Sequence, residues 1–286
     1  MPMHPAPPED LAGLVRAFEH TVQSVIDLGQ VCSAADFDKA TECPGWTVKD
    51  QISHVVGIES WLEGAPTPGV DLPDLPHVKD EAGRFIELWV HERRSLEGED
   101  VVGELEDVLA SRMRTLRDPD LRAETVVKGS FGPAPAALAL TRRICDVWVH
   151  EQDIRAALGR PGNLDSPAAA VFVSAIIARL PRIVAKSAGI EVGHAVILDI
   201  TGPVVGRAGA RVVEGQDGFP HGDALFTGGQ PEAGTEGTFE TTSITLTTDA
   251  LTRRAAGRRP VAKVPHTVHG NPDVARRVME HLCITH

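Results

Sequence analysis

The sequence predicts an α+β protein in two parts, a helical domain over residues 1–187 and a smaller α/β domain over 188–286. Three observations carry this expectation. Apolar residues recur at three- and four-residue spacing through most of the first part, the period of helices with one buried face. Beyond Gly189 the chain turns β-branched and partly alternating, with glycine-rich turns between the apolar runs. Two short helical stretches, around 249–257 and 272–283, close the second part.

The elements follow in order. Leu11, Leu14, Val15, Phe18, Val22, Val25, Ile26 and Leu28 define an amphipathic first helix. The turn Cys43-Pro44-Gly45-Trp46 precedes a second, TVKDQISHVVGIESWL, with Thr47 as its N-cap and Asp50 three residues on, where a carboxylate suits the positive end of the helix dipole. Pro and Gly make that turn, and Trp46 is expected to bury its indole and lock the helix entry. Proline, glycine and aspartate crowd residues 64–76, a loop suited to bordering a cavity. Helices are predicted over 78–96 and 103–117. A short TVV strand at 125–127 and the breaker GPAPAA lead into a long helix ending at Gly159 and Pro161. Ser166-Pro167 then matches a cap with a first-turn proline, opening a mainly apolar helix to about Ala188. Strands are predicted in HAVILDI (194–200), ARVV (210–213) and TFETTSITLTT (238–248), with EGQDGFPHGD and FTGGQPEAGTEG as the turns between them.

Composition narrows the functional classes. With 40 acidic against 28 basic residues the net charge is −12, which repels a nucleic-acid backbone, and the one basic run, RRAAGRRP at 253–260, has no aromatic platform. No nucleic-acid partner is expected. Four cysteines stand at spacings of 11, 102 and 138 residues without a C-x-x-C pair, which points to a reducing compartment. The N-terminal segment MPMHPAPPED lacks a basic stretch followed by an apolar run, and no later stretch is uninterruptedly apolar for about 18 residues. A cytoplasmic protein without a membrane partner, monomer or homodimer, is the expectation.

Asp146 and His150 are four residues apart and share one face of the long helix, one turn apart. At about 100° per residue, Val48, Ile52, Val55, Val56, Glu59 and Leu62 form the main stripe of the earlier helix, while His54 lies on its flank with Ile58 and Trp61, where it can point between helices. Helical bundles commonly build metal sites from side chains on facing helices. Two imidazoles and a carboxylate suit zinc or another divalent metal and leave positions open. Taken singly, His54 also fits an inter-helix histidine, and Asp146 with His150 a carboxylate–imidazole pair on a wet surface. Glu59 and Asp153 are candidates for a base or for orienting a ligand histidine, and equally for helix salt bridges. His266, His269, His281 and His286 lack carboxylate spacing and read as surface histidines. Arg253, Arg254, Arg258 and Arg259 offer either a positive rim for an acidic ligand or a stabilised helix end.

The segments CPGWTVKDQISHV (43–55) and DVWVHEQDIRAALG (146–159) resemble the actinobacterial branch of the DinB-like superfamily, which includes mycothiol-dependent maleylpyruvate isomerase and mycothiol S-transferases. The resemblance implies a DinB-like four-helix bundle with extra helices, followed by a small α/β sterol-carrier-like domain. It implies metal ligation by His54, placed eight residues after Trp46, and by His150 in WVHEQD. Asp146 stands where the isomerase has a glutamate, one methylene longer, which bears on the specific isomerase activity more than on the metal. The implied function is metal-dependent transfer of a low-molecular-weight thiol, mycothiol, to a small electrophile. A thiol-assisted cis–trans isomerase of maleylpyruvate type, a metal-water hydrolase and a non-enzymatic small-molecule-binding module are the alternatives.

Overall fold

The computed structural model describes residues 3–216, 218–227 and 239–285. The expected turn FTGGQPEAGTEG lies mostly outside the described residues, as does His286. The described chain divides into two compact units, Pro8–Gly162 and Met1–Pro7 with Asn163–His286.

The first unit is helical. Helix α1 (Leu11–Gln30) opens on Asp10, whose side chain accepts from the Gly13 amide, and the short α2 (Ala34–Phe37) follows. Helix α3 (Val48–Leu62) starts as the sequence indicates: Thr47 accepts from the Asp50 amide and the Asp50 carboxylate accepts from the Thr47 amide, a reciprocal capping box. Helices α4 (Glu81–Arg93), α5 (Gly98–Leu116) and α6 (Ala136–Leu158) complete the unit, with a two-strand ribbon of β1 (Val126–Val127) and β2 (Ala134–Pro135) ahead of α6. Gly159, in the left-handed region at φ 64°, ends α6.

Helices α1, α3, α5 and α6 form a bundle in which α1 packs on α5 and α6, and α3 on α5 and α6, while α4 is added against α3. Phe18, Val22, Ile52, Val55, Leu105, Ile144 and Val147 fill its centre. Gly57 lets α4 approach α3, since a Cβ there would lie 2.3 Å from that of Trp89.

The second unit carries a mixed sheet in the order β5-β4-β3-β6-β7, made of β3 (His194–Thr201), β4 (Val205–Glu214), β5 (Pro220–Leu225), β6 (Glu240–Leu246) and β7 (Thr267–His269). Strands β3 and β6 run parallel and the other neighbours are antiparallel. Helices α7 (Pro167–Arg182), α8 (Thr248–Ala255) and α9 (Pro272–His281) accompany it.

Two sequence expectations differ from this arrangement. The boundary expected at 187/188 falls instead after Gly162, because α7 lays its apolar surface on β4, β5 and α8. That burial also accounts for a segment, Pro167–Ser187, which by length and composition is apolar enough to span a bilayer. The residues PHGDAL, expected in part as a turn, form β5; it is an edge strand with largely exposed side chains, so no apolar alternation marks it, and its proline takes the first position.

Candidate metal centre

The capping box fixes where α3 begins, and with it the direction of His54 about two turns on. Helix α6 brings Asp146 and His150 from the facing side. His54 Nε2 lies 3.0 Å from Asp146 Oδ2, and His150 Nε2 lies 3.5 Å from Asp146 Oδ1. The two imidazole centroids are 4.5 Å apart. One donor atom from each of the three residues falls within 4.8 Å of the others, and no second such group occurs among the described residues. The histidine side chains are nearly buried, at 3% and 8% exposure, whereas that of Asp146 is 37% exposed, so the cluster opens to solvent on the aspartate's side.

A polar chain behind His150 sets its tautomer. Thr41 donates its hydroxyl to the Trp46 carbonyl at 2.9 Å and accepts from Gln51 Nε2 at 2.7 Å. The amide oxygen of Gln51 therefore faces His150 Nδ1, at 2.5 Å, and an amide oxygen only accepts. Nδ1 carries the hydrogen, and Nε2 presents its lone pair to the cluster. Outer partners of this kind orient ligand imidazoles in metal sites. Gln51 is fully buried on α3, three residues before His54. Asp153, also buried, has an oxygen 3.6 Å from the same nitrogen.

The Trp46 indole covers the pair, with its centroid 5.2 Å from that of His54 and 5.7 Å from that of His150. It is buried as expected and donates Nε1–H to Glu87 Oε2 at 2.9 Å. His77 reaches the same oxygen at 3.1 Å from the loop that leads to α4, and Arg94 pairs with Oε1 at 2.7 Å. Gly45, at φ 79°, leaves room for this imidazole: a Cβ there would stand 2.2 Å from His77 Nδ1.

Electrostatics favour neutral imidazole beside ionised carboxylate. Burial pushes the His54 pKa down to about 4, and the neighbouring His150 adds to the shift, while Asp146 works against it. Burial also acts to raise Asp146, but Arg143, His54 and His150 together hold it well below the usual carboxylate range. His54 Nδ1 is buried without a hydrogen-bond partner. Facing an ionised carboxylate, His54 Nε2 is the donor to Asp146 Oδ2. A cation would take the place of that hydrogen, and two nitrogens with one oxygen form a donor set suited to zinc. The residues present thus fit a divalent metal.

Glu59 does not serve as a base in this arrangement. Its carboxylate is 1% exposed and accepts from Arg143 Nε at 2.7 Å and Arg112 Nε at 2.8 Å. In the second unit, Arg254 donates to the Met279 and Glu280 carbonyls at the end of α9, and Arg259 pairs with Asp249 in the first turn of α8. Cys32, Cys43 and Cys145 are partly exposed and Cys283 is exposed.

Residues 5–155 match the family model described as the mycothiol maleylpyruvate isomerase N-terminal domain. The chain belongs to this family. The match spans the α1–α6 bundle and includes His54, Asp146 and His150, as the DinB-like resemblance of the sequence leads one to expect. Among solved structures, the crystal structure of the mycothiol-dependent maleylpyruvate isomerase shares the fold, with a TM-score of 0.53 and 16% identity over 91% of this chain and 94% of that one. A histidine-to-alanine mutant of that isomerase aligns at a TM-score of 0.52 and 15% identity, over 90% and 92%. No curated protein matches the chain in sequence.

Proposed function

We propose that this protein is a mycothiol-dependent metalloenzyme that joins the thiol sulfur to an electrophilic carbon of a small substrate, with His54, Asp146 and His150 as the metal ligands. The observation carrying this reading is the convergence of three donors, with the His150 lone pair fixed by Gln51, inside a bundle of the mycothiol maleylpyruvate isomerase family. When bound, a zinc-like cation supplies a Lewis acid that lowers the pKa of a thiol or water in its open position. The chain's own residues do the rest. Gln51 and Thr41 hold the imidazole of His150, the indole of Trp46 walls off one side from water, and the exposed edge of Asp146 leaves the approach for thiol and substrate.

In transfer, a carbon–sulfur bond forms, a leaving group departs with the electron pair of its bond to carbon, and the thiol proton passes to solvent. A second reading, cis–trans isomerisation of maleylpyruvate type, is supported by the family and the shared fold. There the sulfur adds to a conjugated double bond, the resulting single bond rotates, and elimination releases the thiol. The aspartate at position 146, in place of the isomerase's glutamate, is the reason for placing transfer first.

Elemental analysis of protein purified without added metal should find about one divalent ion per chain, and His150→Ala should lose it. Retention of the full complement by that variant would refute the ligand assignment. Mycothiol with a chromogenic electrophile should give a metal-dependent conjugate, whereas conversion of maleylpyruvate to its trans isomer without conjugate favours the second reading. Ester cleavage without thiol would indicate a hydrolase, and saturable binding without turnover a binding module.

A further inference from the structure

Asp146 is one methylene shorter than a glutamate, yet both its oxygens are placed. Arg143, on the preceding turn of α6 and 3% exposed, donates Nη1–H to Asp146 Oδ2 at 2.6 Å and Nε–H to Glu59 Oε1 at 2.7 Å. Glu59 takes its second bond from Arg112, which also reaches Glu63 Oε1 at 2.7 Å. Five alternating charges therefore run Asp146, Arg143, Glu59, Arg112, Glu63 across α6, α3 and α5. Burying such a chain is costly and does little for stability compared with apolar packing of the same volume. Its geometry, however, fixes a carboxylate rotamer at the cluster.

Oδ2, 3.0 Å from His54 Nε2, is also engaged by the guanidinium, whereas Oδ1, 3.5 Å from His150 Nε2, takes no bond from Arg143. Donors bonded at about 2.0–2.2 Å around a tetrahedral ion stand roughly 3.3–3.5 Å apart, so that separation matches a coordination edge. An aspartate without this tether could turn both oxygens toward a cation and occupy a position otherwise open to a ligand.

We propose that Arg143 is a positioning residue that restrains Asp146 to single-oxygen ligation, and that Glu59 in turn anchors Arg143. The inference rests on the metal-centre reading above. One guanidinium bridging two carboxylates is the essential feature, and a lysine, with a single nitrogen, keeps the charge but not the bridge.

The test titrates chelator-treated protein with Co2+, whose visible absorption is strong in four-coordinate and weak in higher-coordinate sites. Arg143→Gln and Arg143→Lys should each weaken Co2+ binding by about 10- to 100-fold and dim the visible band as the released carboxylate chelates. Glu59→Gln should give a smaller loss in the same direction. Arg143→Lys retains a cation beside Glu59, so it decides the question should the glutamine variant not fold. Wild-type affinity and an unchanged band in Arg143→Lys would overturn the proposal while leaving the metal centre intact. Failure of the wild-type protein to take up Co2+ at all would overturn the metal-centre reading, and this inference with it.

Discussion

Replacing Gln51 by leucine tests the tautomer argument most directly. The side chain is fully buried and contributes the acceptor for His150 Nδ1 at 2.5 Å and the donor to Thr41 at 2.7 Å. Leucine has nearly the same volume, so packing changes little while both bonds vanish. Loss of the outer partner of a ligand imidazole costs about 10- to 100-fold in metal affinity, equivalent to about 1.4–2.7 kcal/mol. The His150 N–H that loses its acceptor adds about 1–3 kcal/mol of instability, whereas the Thr41 hydroxyl keeps its bonds to the Trp46 carbonyl and from the Cys43 amide. Gln51→Leu should therefore bind Zn2+ some 10- to 100-fold more weakly in competition with a chromophoric chelator, and unfold at lower urea. Gln51→Glu keeps an acceptor at Nδ1, so it should retain affinity within a few-fold of wild type. If the leucine variant binds Zn2+ as tightly as wild type, or the glutamate variant more weakly than the leucine one, the assignment of the His150 lone pair is wrong.

Three further outcomes are expected. Trp46→Phe removes the bond to Glu87 but not the ring, and should cost about 1.5–3 kcal/mol in urea unfolding. Gly45→Ala forces a side chain into a left-handed backbone and against His77, so it should destabilise by at least about 1–2 kcal/mol, with quenching of Trp46 fluorescence changed as the imidazole is displaced. The third concerns pH: His54 titrates near 4 when folded against 6.5 when unfolded, so the unfolded chain binds more protons between those values. Metal-free wild-type protein should lose thermal stability as pH falls from 6.5 to 4, more steeply than His54→Gln; parallel profiles would contradict the buried neutral imidazole.

Much of the helical unit could be read in advance because its signals are local. Thr47 and Asp50 cap α3 through neighbours three residues apart, Gly159 stops α6, and the i,i+4 spacing of Asp146 and His150 places both on one face. The family resemblance supplied the pairing of His54 with them, which no local pattern contains. What escaped the sequence depends on contacts distant along the chain. Strand β5 is held by pairing with β4 and has no buried stripe of its own; α7 is apolar enough to suit either unit, and only its packing on the sheet assigns it. Gln51 carried one faint sign, an amide side chain a turn before His54 on the same helix. Arg143 carried another, its i,i+3 relation to Asp146. Neither reveals a function until the partner helix is known.

The run of hydrogen bonds from His150 through Gln51 and Thr41 to the Trp46 carbonyl has one polarity, each group giving to the next. Its members are consequently interdependent as alleles: reversing the sense at any link leaves two donors or two acceptors face to face. Homologues should exchange positions 41 and 51 in concert, pairing a hydroxyl with an amide or two apolar groups, and a chain in which position 51 alone has become apolar should show a loosened ligand histidine.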